Sequence, residues 1–286
     1  MITTTFRHAG IAAQITRVAM AVLAVGALLP STAIGQTEPS ASASGPWRYA
    51  FTVYGYLPSI GGSTVFPVDT GSSVEVSARQ ILDRLKMTAM ASFEANNGTW
   101  GIATDLVYVD FGYPKSNSRD FLLGNAGIPA GTSANLDWDF KATLLTVAGE
   151  YRLRTDPAWT ADLLAGVRLL DMSQRLNWSI SGNLGPIAPA SRTGSSQASQ
   201  NVVDAIVGIK ARYEFGGDRE WSLPVYADVG TGGSASTLQL AAGVGYQFSW
   251  GELAGIWRYI DYRTKSGRAI KDVSFNGPQV AAVFRW

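Results

Sequence analysis

Apolar and polar residues alternate along most of the chain after residue 46. In residues 47–57, for example, Trp47, Tyr49, Phe51 and Val53 share one face, whereas Arg48 begins the opposite face. A repeat of two residues is typical of a β-strand whose two faces meet different surroundings. The pattern predicts ten strands, with eight as the alternative count. The ten span residues 47–57, 86–95, 99–111, 137–153, 159–177, 201–215, 221–230, 237–250, 252–262 and 276–286.

Short and long connections alternate between these strands. Asn97-Gly98 predicts a tight hairpin, whereas residues 58–85, 112–136 and 178–200 form long, mostly polar connections. Within the first of these, Ser77 and Gln80 have capping-box spacing ahead of several leucines and isoleucines. This predicts a short amphipathic helix, which either enters the mouth of the fold or lies on its rim.

Charged residues occupy one face of the predicted strands, and the opposite face is apolar. An even number of strands, alternating short turns and long loops, and an apolar outer face are typical of a transmembrane antiparallel up-and-down β-barrel. In lipid, an open sheet would leave unpaired backbone groups at both edges. We therefore predict that the first strand pairs with residues 276–286.

The tryptophans support this interpretation independently of the strand assignment. Six of them fall at the strand ends beside the short turns, and all have the parity of the apolar face. They predict an aromatic girdle at the periplasmic interface. The six are Trp47, Trp100, Trp159, Trp221, Trp250 and Trp286.

The last strand carries a further pattern. Gln279, Ala281, Phe284 and Trp286 have the spacing of a polar residue, a small residue and two aromatics. This resembles the C-terminal assembly signal of outer-membrane barrels, although alanine stands where glycine is usual. The resemblance implies that the barrel-assembly machinery recognises this strand.

The N-terminal segment predicts export. Arg7, His8 and Arg17 precede the apolar run of residues 18–29, and Ala33 and Gly35 form a small-x-small pattern. Cleavage after Gly35 would remove two of 23 basic residues and none of 22 acidic ones, so the net charge becomes 21 minus 22, or −1. The predicted organisation is a signal peptide at 1–35, a flexible leader at 36–46 and one barrel domain at 47–286.

The charged residues with inward parity include both signs, and apolar neighbours separate them from the turns. Buried charges must be paired or hydrated. They therefore line either a polar conduit or ligand pocket, or they form an ion-pair plug that holds the barrel together. The residues are Glu94, Asp105, Glu150, Arg152, Asp162, Arg168, Asp204, Lys210, Arg212, Asp228, Arg258 and Arg285.

Residue types argue against catalysis. The single histidine, His8, lies in the predicted signal peptide, and the chain has no cysteine. Barrel proteases, phospholipases and lipid A acylases or deacylases generally use a histidine. The acid pairs Asp137 with Asp139 and Asp105 with Asp162 have the pattern of rim and lumen acids. We therefore expect no enzymatic activity, no cofactor, no His/Cys metal site and, without excess basic charge, no nucleic-acid partner.

Motifs in the second half of the chain resemble a family. DLLAGVR at Asp162, YADVGTGGSAS, GVGYQFSWG, WRYIDYR and the closing strand resemble a poorly characterised group of proteobacterial outer-membrane barrels, loosely OmpA-like or OmpW-like. WGIATDLVYVD at Trp100 fits the same pattern. Relatives usually continue DVGG with an aromatic, whereas this chain has Asp228-Val229-Gly230-Thr231.

The resemblance implies a fold and an outer-membrane location, with outer-membrane lipid and lipopolysaccharide as surroundings, but no established substrate or ligand. Two functions remain open. One is a non-enzymatic structural barrel or narrow small-solute channel of porin type. The other is a surface interaction or adhesion protein that acts through the three long loops.

Overall fold

Ten long antiparallel strands close into a barrel in a computed structural model of the protein. The predicted fold class and strand count are therefore confirmed. The structure describes residues 45–64, 73–77, 79, 85–115, 122–123, 126–127, 132–182, 190–266 and 270–286. The predicted signal peptide and most of the leader lie outside these residues.

The ten barrel strands are β1 (Arg48–Tyr56), β4 (Leu85–Asn96), β5 (Trp100–Lys115), β8 (Thr132–Thr155), β9 (Trp159–Gly182), β10 (Ala190–Phe215), β11 (Trp221–Gly232), β12 (Ser236–Phe248), β13 (Gly251–Arg263) and β14 (Ile270–Arg285). Four short strands lie within the connections: β2 (Ser59–Thr64), β3 (Ser73–Val76), β6 (Leu122–Leu123) and β7 (Ala126–Gly127). Each barrel strand pairs with its neighbour in this order.

Pairing between the first and last strands closes the barrel. Phe51 lies opposite Phe284 and Tyr56 lies opposite Gln279, so β1 and β14 are antiparallel as predicted. The turns β4–β5, β8–β9, β10–β11 and β12–β13, the start of β1 and the end of β14 lie at one end of the barrel, here called the short-turn end. The opposite end, here called the long-connection end, carries the longer connections.

The predicted connection 58–85 is wrong in part, because it contains two strands. β14 extends beyond β1, and its free edge pairs with β2, where Ser59 lies opposite Asn276. β3 then pairs with β2. The sequence pattern did not reveal these strands because both are short and β2 is rich in glycine and serine. The helix predicted near Ser77 lies mostly outside the described residues.

The predicted loops 112–136 and 178–200 are also shorter than expected. β8, β9 and β10 contain 24, 24 and 26 residues, and Trp178 pairs with both Leu136 and Gly194. A tilted membrane-spanning strand needs only about 9–11 residues. These three strands therefore project from the barrel at its long-connection end. Their outer parts were predicted as loops because both faces there are polar.

The outer surface of the barrel is an apolar band. Large apolar side chains such as Val207, Ile209 and Trp257 are more than half exposed. A water-soluble protein would bury such residues, whereas a lipid-facing wall requires them. Beyond this band, Asp110 and Lys141 form an outward ion pair at 2.9 Å. In the described part of the chain, no helix is long and apolar enough to span a membrane.

Candidate functional site

The interior of the barrel has two halves of different chemistry. Inward positions near the long-connection end are apolar and form one packed cluster, which includes Tyr56, Met90, Phe111, Phe140 and Leu170. Inward positions nearer the short-turn end carry most of the charges. The apolar half was not predicted, although the strands there show apolar residues on both faces, as in the segment LLDM from Leu169.

A charged layer crosses the lumen between these halves. Arg258 donates to the Asp105 carboxylate at 2.6 Å and to the Gln239 side-chain oxygen at 3.2 Å. Tyr54 donates its hydroxyl to the same carboxylate at 2.5 Å. The guanidinium of Arg258 also lies 5.6 Å from the centre of the Tyr56 ring. These contacts join β1, β5, β12 and β13 across the barrel.

A second pair completes this layer. Arg168 makes two hydrogen bonds to Asp228, at 2.8 Å and 2.5 Å, and a third to the Thr146 hydroxyl at 3.1 Å. Both charged side chains are 0% exposed. The parallel arrangement of two N–H donors on one carboxylate is the strongest form of this interaction. We call Tyr54, Asp105, Arg168, Asp228 and Arg258 together the charged septum.

A polar cavity lies on the short-turn side of the charged septum. Its volume is about 250 Å³, and its lining includes Thr52, Ser92, Tyr226, Gln239 and Gln279. Buried polar atoms without a hydrogen-bond partner face this region, among them Oε2 of Glu150 and Oε1 of Gln279. A cavity with several such atoms has the partners that water or a polar solute needs.

Carboxylates surround one lysine at the edge of the polar cavity. Lys210 contacts Glu150 at 2.6 Å and Glu94 at 2.7 Å, so three strands share one ammonium group. Arg152 pairs with the neighbouring Asp162. The five side chains carry three acids and two bases.

A further cluster closes the short-turn end. Glu252 is buried and accepts hydrogen bonds from Arg212 at 2.9 Å and Ser222 at 2.7 Å. Arg285 pairs with the same carboxylate at 2.6 Å, which ties the closing strand to β10 and β11. Sequence reasoning missed Glu252, although its inward parity on β13 marks it.

Asp204 differs from the other inward acids in its hydrogen-bond partners. Its carboxylate accepts hydrogen bonds from the Ser234 backbone N–H at 2.8 Å and from the Ser234 hydroxyl at 2.7 Å. It is fully buried and holds the turn between β11 and β12. Its contacts therefore anchor a turn at the long-connection end.

Inward glycines receive side chains from neighbouring strands. A Cβ atom at Gly245 would lie 2.0 Å from Glu252 Oε1, and one at Gly208 would lie 2.6 Å from Asp228 Cβ. Glycine at these two positions is therefore needed for the approach of the paired acids. These two inward glycines therefore leave no open space in the lumen.

A smaller cavity lies within the apolar half. Its volume is about 80 Å³, and its lining is almost entirely carbon, with Met90, Val107, Ala142, Leu144 and Phe275 among the lining residues. We call it the apolar cavity. The apolar and polar cavities share no lining residue, and the charged septum lies between them.

The predicted inward charges thus fall into separate groups. Asp105, Arg168, Asp228 and Arg258 meet in the septum, whereas Arg212 and Arg285 meet at the short-turn end. The structure does not bring Asp105 and Asp162 together as an acid pair, since each contacts its own arginine. The described residues contain no group of three or more His, Cys, Asp or Glu placed to hold a metal.

The six predicted girdle residues lie at the short-turn end. Trp100, Trp159 and Trp221 each begin a barrel strand, and Trp250 lies in the turn before β13. Trp286 is 64% exposed and stacks on Tyr49 at 5.9 Å between ring centres. Gln279 and Ala281 are buried on the inner face of β14, whereas Phe284 is exposed on its outer face.

No known family profile and no curated protein sequence matches the chain. Among solved structures, Ail of Yersinia pestis is similar over 85% of this chain and 99% of Ail, with 10% identity and a TM-score of 0.30. The autotransporter NalP translocator domain of Neisseria meningitidis is similar over 96% of each chain, with 11% identity and a TM-score of 0.26.

Proposed function

We propose that this outer-membrane barrel is a non-enzymatic, narrow channel for small solutes and that the charged septum is its gate. The observation that supports the proposal is the arrangement of the lumen: a closed layer of paired charges with unfilled space on both sides. A barrel of this size has an interior that side chains largely fill. Only small solutes could pass, and only when the septum and the packed apolar cluster beside it rearrange.

A purely structural role requires a lumen that is filled, with charges that only pair. The septum and the Glu252 cluster agree with that requirement. The polar cavity does not, because about 250 Å³ remains unfilled and unpartnered polar atoms face it. For this reason we favour the channel over the structural plug.

The proposal includes several finer points. Kinship with the small OmpA-like and OmpW-like barrels is one of them. Removal of residues 1–35 during export, recognition of β14 by the barrel-assembly machinery, and contact of the outer wall with lipopolysaccharide are the others. The apolar outer wall and the terminal aromatics support the last two.

Planar-bilayer conductance tests the channel. The wild type should show small, infrequent current steps because its septum is closed. The double variant Arg258→Ser with Asp105→Ser removes both charges of one septum pair and leaves neither unpaired, so it should raise the unit conductance severalfold. Replacing the exposed turn pair Arg154 and Asp156 by serines is the matched control and should conduct as the wild type does.

Equal currents from the wild type and the septum variant, or no resolvable current from either, would reject the channel and leave the structural plug. Heat-modifiable gel mobility of both variants shows whether the barrel has folded. A variant that has lost this mobility is replaced by Arg258→Lys, which keeps the charge but loses the planar two-donor geometry.

A second candidate is a surface interaction protein. The specific observation in its favour is the projection formed by β8, β9 and β10, whose outer parts expose polar residues such as Ser195 and Gln197. Such a protein needs no current that depends on the septum. The conductance experiment therefore separates the two candidates.

A further inference from the structure

The barrel wall is not continuously paired between β1 and β4. The ladder between these strands runs from Arg48–Asn96 to Val53–Ala91. β1 continues to Tyr56 beside β14, while β4 continues only beside β5, where Thr88 lies opposite Val109. Among the described residues, no backbone pairing joins the two strands beyond this point.

The short strands do not close this interval. β2 pairs with β14, β3 pairs with β2, and β3 ends the sheet order without a pairing to β4 in the described part of the chain. Across the interval, the Tyr56 backbone N–H donates to the Met90 sulfur at 3.1 Å. We call residues 54–58 on one side and 88–90 on the other the seam.

The seam lies within the lipid-facing band. Gly55 and Ala89 are both exposed on its outer side, and Ala89 lies opposite Tyr108 in the β4–β5 ladder. The outward Asp110 follows two residues later on β5. The seam therefore opens near the outer edge of the apolar band, at a place where lipid would meet backbone without ladder bonds.

The apolar cavity lies directly behind the seam. Residues from both of its sides line the cavity, among them Gly55, Pro58, Thr88 and Met90. The polar groups nearby are already used, since Tyr56 donates its hydroxyl to the Arg258 carbonyl at 3.1 Å and Thr88 donates to the Tyr108 carbonyl at 3.0 Å. Water in this cavity would lack hydrogen-bond partners.

We propose that the apolar cavity binds an uncharged apolar molecule of about one aromatic ring and that the molecule enters from the outer leaflet through the seam. An apolar cavity of roughly 150 Å³ in another protein binds benzene, so a cavity of about 80 Å³ must widen to nearly twice its volume to match that cavity. Met90 forms one wall, and methionine side chains adapt their shape readily. The inference does not depend on conduction through the septum.

The site is tested by NMR with benzene as the probe. The protein is labelled with ¹³C at its methionine methyl groups and placed in lipid nanodiscs. Benzene should shift the Met90 methyl signal to a saturating limit. Met172 belongs to the same apolar cluster but does not line the cavity, so its signal should not follow the Met90 curve.

Filling variants show whether the shift arises in the cavity. Ala142→Phe should abolish it, and Val109→Phe serves the same purpose from another strand if the first variant does not fold. Ala242→Phe, on the lipid-facing side of β12, should leave it intact. Shifts that rise linearly at Met90 and Met172 alike, or persist in both filling variants, would overturn the site. A Met90 signal that responds to lipid chain length but not to benzene would assign the cavity to a lipid chain and contradict the proposal.

The route is tested in the same sample. A Cβ atom at Gly55 would meet no atom within 4 Å and would point to the lipid side, so Gly55→Trp is the variant that covers the seam. Gly255 on β13 is equally open and exposed, and Gly255→Trp is the matched control. Benzene exchange at Met90 should slow in Gly55→Trp only. Equal exchange rates in both variants would exclude the seam as the route.

These experiments measure binding, whereas the channel is tested by conductance. A negative binding result therefore does not affect the channel proposal, and an absent current does not affect the proposed apolar site.

Discussion

The Arg168–Asp228 pair shows at the level of single residues why the interior can hold charge. Neither side chain reaches solvent, and Arg168 uses three of its N–H donors on Asp228 and Thr146. The attraction offsets the cost of removing both ions from water only while the pair is intact. Each residue of the pair is therefore needed for stability because the other would be a buried, unpaired charge without it.

Arg168→Met should lower the free energy of unfolding by about 3–5 kcal/mol, because it leaves the Asp228 carboxylate buried and unpaired. Adding Asp228→Leu should restore most of the loss. The measurement is urea unfolding in liposomes, with heat-modifiable gel mobility as the readout of the folded fraction.

The exposed pair Arg154 and Asp156 provides the comparison. Their side chains are 60% and 38% exposed, so Arg154→Met should cost no more than about 1 kcal/mol. Equal losses at the exposed and buried pairs would contradict the account of the septum.

The closing strand β14 is the element on which the barrel most depends. Trp286, which directly follows β14, exchanges two backbone hydrogen bonds with Tyr49, at 2.8 Å and 3.1 Å, and Phe284 packs beside Trp250 at 5.7 Å between ring centres. The terminal aromatics thus join both neighbours of β14 at the short-turn end. This arrangement supports the proposal that the barrel-assembly machinery recognises β14.

Replacing both Phe284 and Trp286 by serine should therefore reduce the amount of folded barrel in the outer membrane more than it reduces the stability of barrel that has folded. The ratio of folded to unfolded bands in membrane fractions measures the first, and urea unfolding measures the second. The matched control replaces Leu253 on β13 and Val225 on β11 by serine, because both side chains are exposed on the outer wall and neither belongs to the closing strand. If the control lowers the folded fraction equally, the terminal aromatics have no special role in assembly.

The sequence predicted β-strands well where the two faces of a strand differ in polarity. All ten barrel strands and the β1–β14 pairing follow from a period of two, because lipid and lumen impose opposite polarity on alternate residues. The outer parts of β9 and β10 were not predicted, since both faces there meet water and the alternation disappears. β2 and β3 were missed for a related reason: the free edge of β14, not their own composition, determines that they pair.

At the scale of the whole molecule, periodicity shows which residues point inward but not which ones meet. Arg258 and Asp105 are 153 residues apart in sequence, and Arg168 and Asp228 are 60 apart. Their contact depends on strand tilt and register, which follow from closure of the entire barrel. The septum, the two cavities and the seam are consequences of that closure and could not be located from single strands.

Accessibility across the septum tests the central claim, that paired charges divide the lumen, most directly. Because the chain has no cysteine, a single introduced thiol reports one position. Ala148 is 3% exposed and lines the polar cavity, whereas Ser266 is exposed at the long-connection end. The measurement is the reaction of Ala148→Cys and Ser266→Cys with a small, charged, membrane-impermeant methanethiosulfonate reagent added to the long-connection side of barrels inserted in one orientation in liposomes.

With the septum intact, Ser266→Cys should react rapidly and Ala148→Cys should remain unmodified. In the background of Arg258→Ser with Asp105→Ser, the thiol at position 148 should react many times faster than it does behind the intact septum. Reaction of Ala148→Cys as fast as Ser266→Cys, with every septum residue in place, would contradict a lumen divided by paired charges.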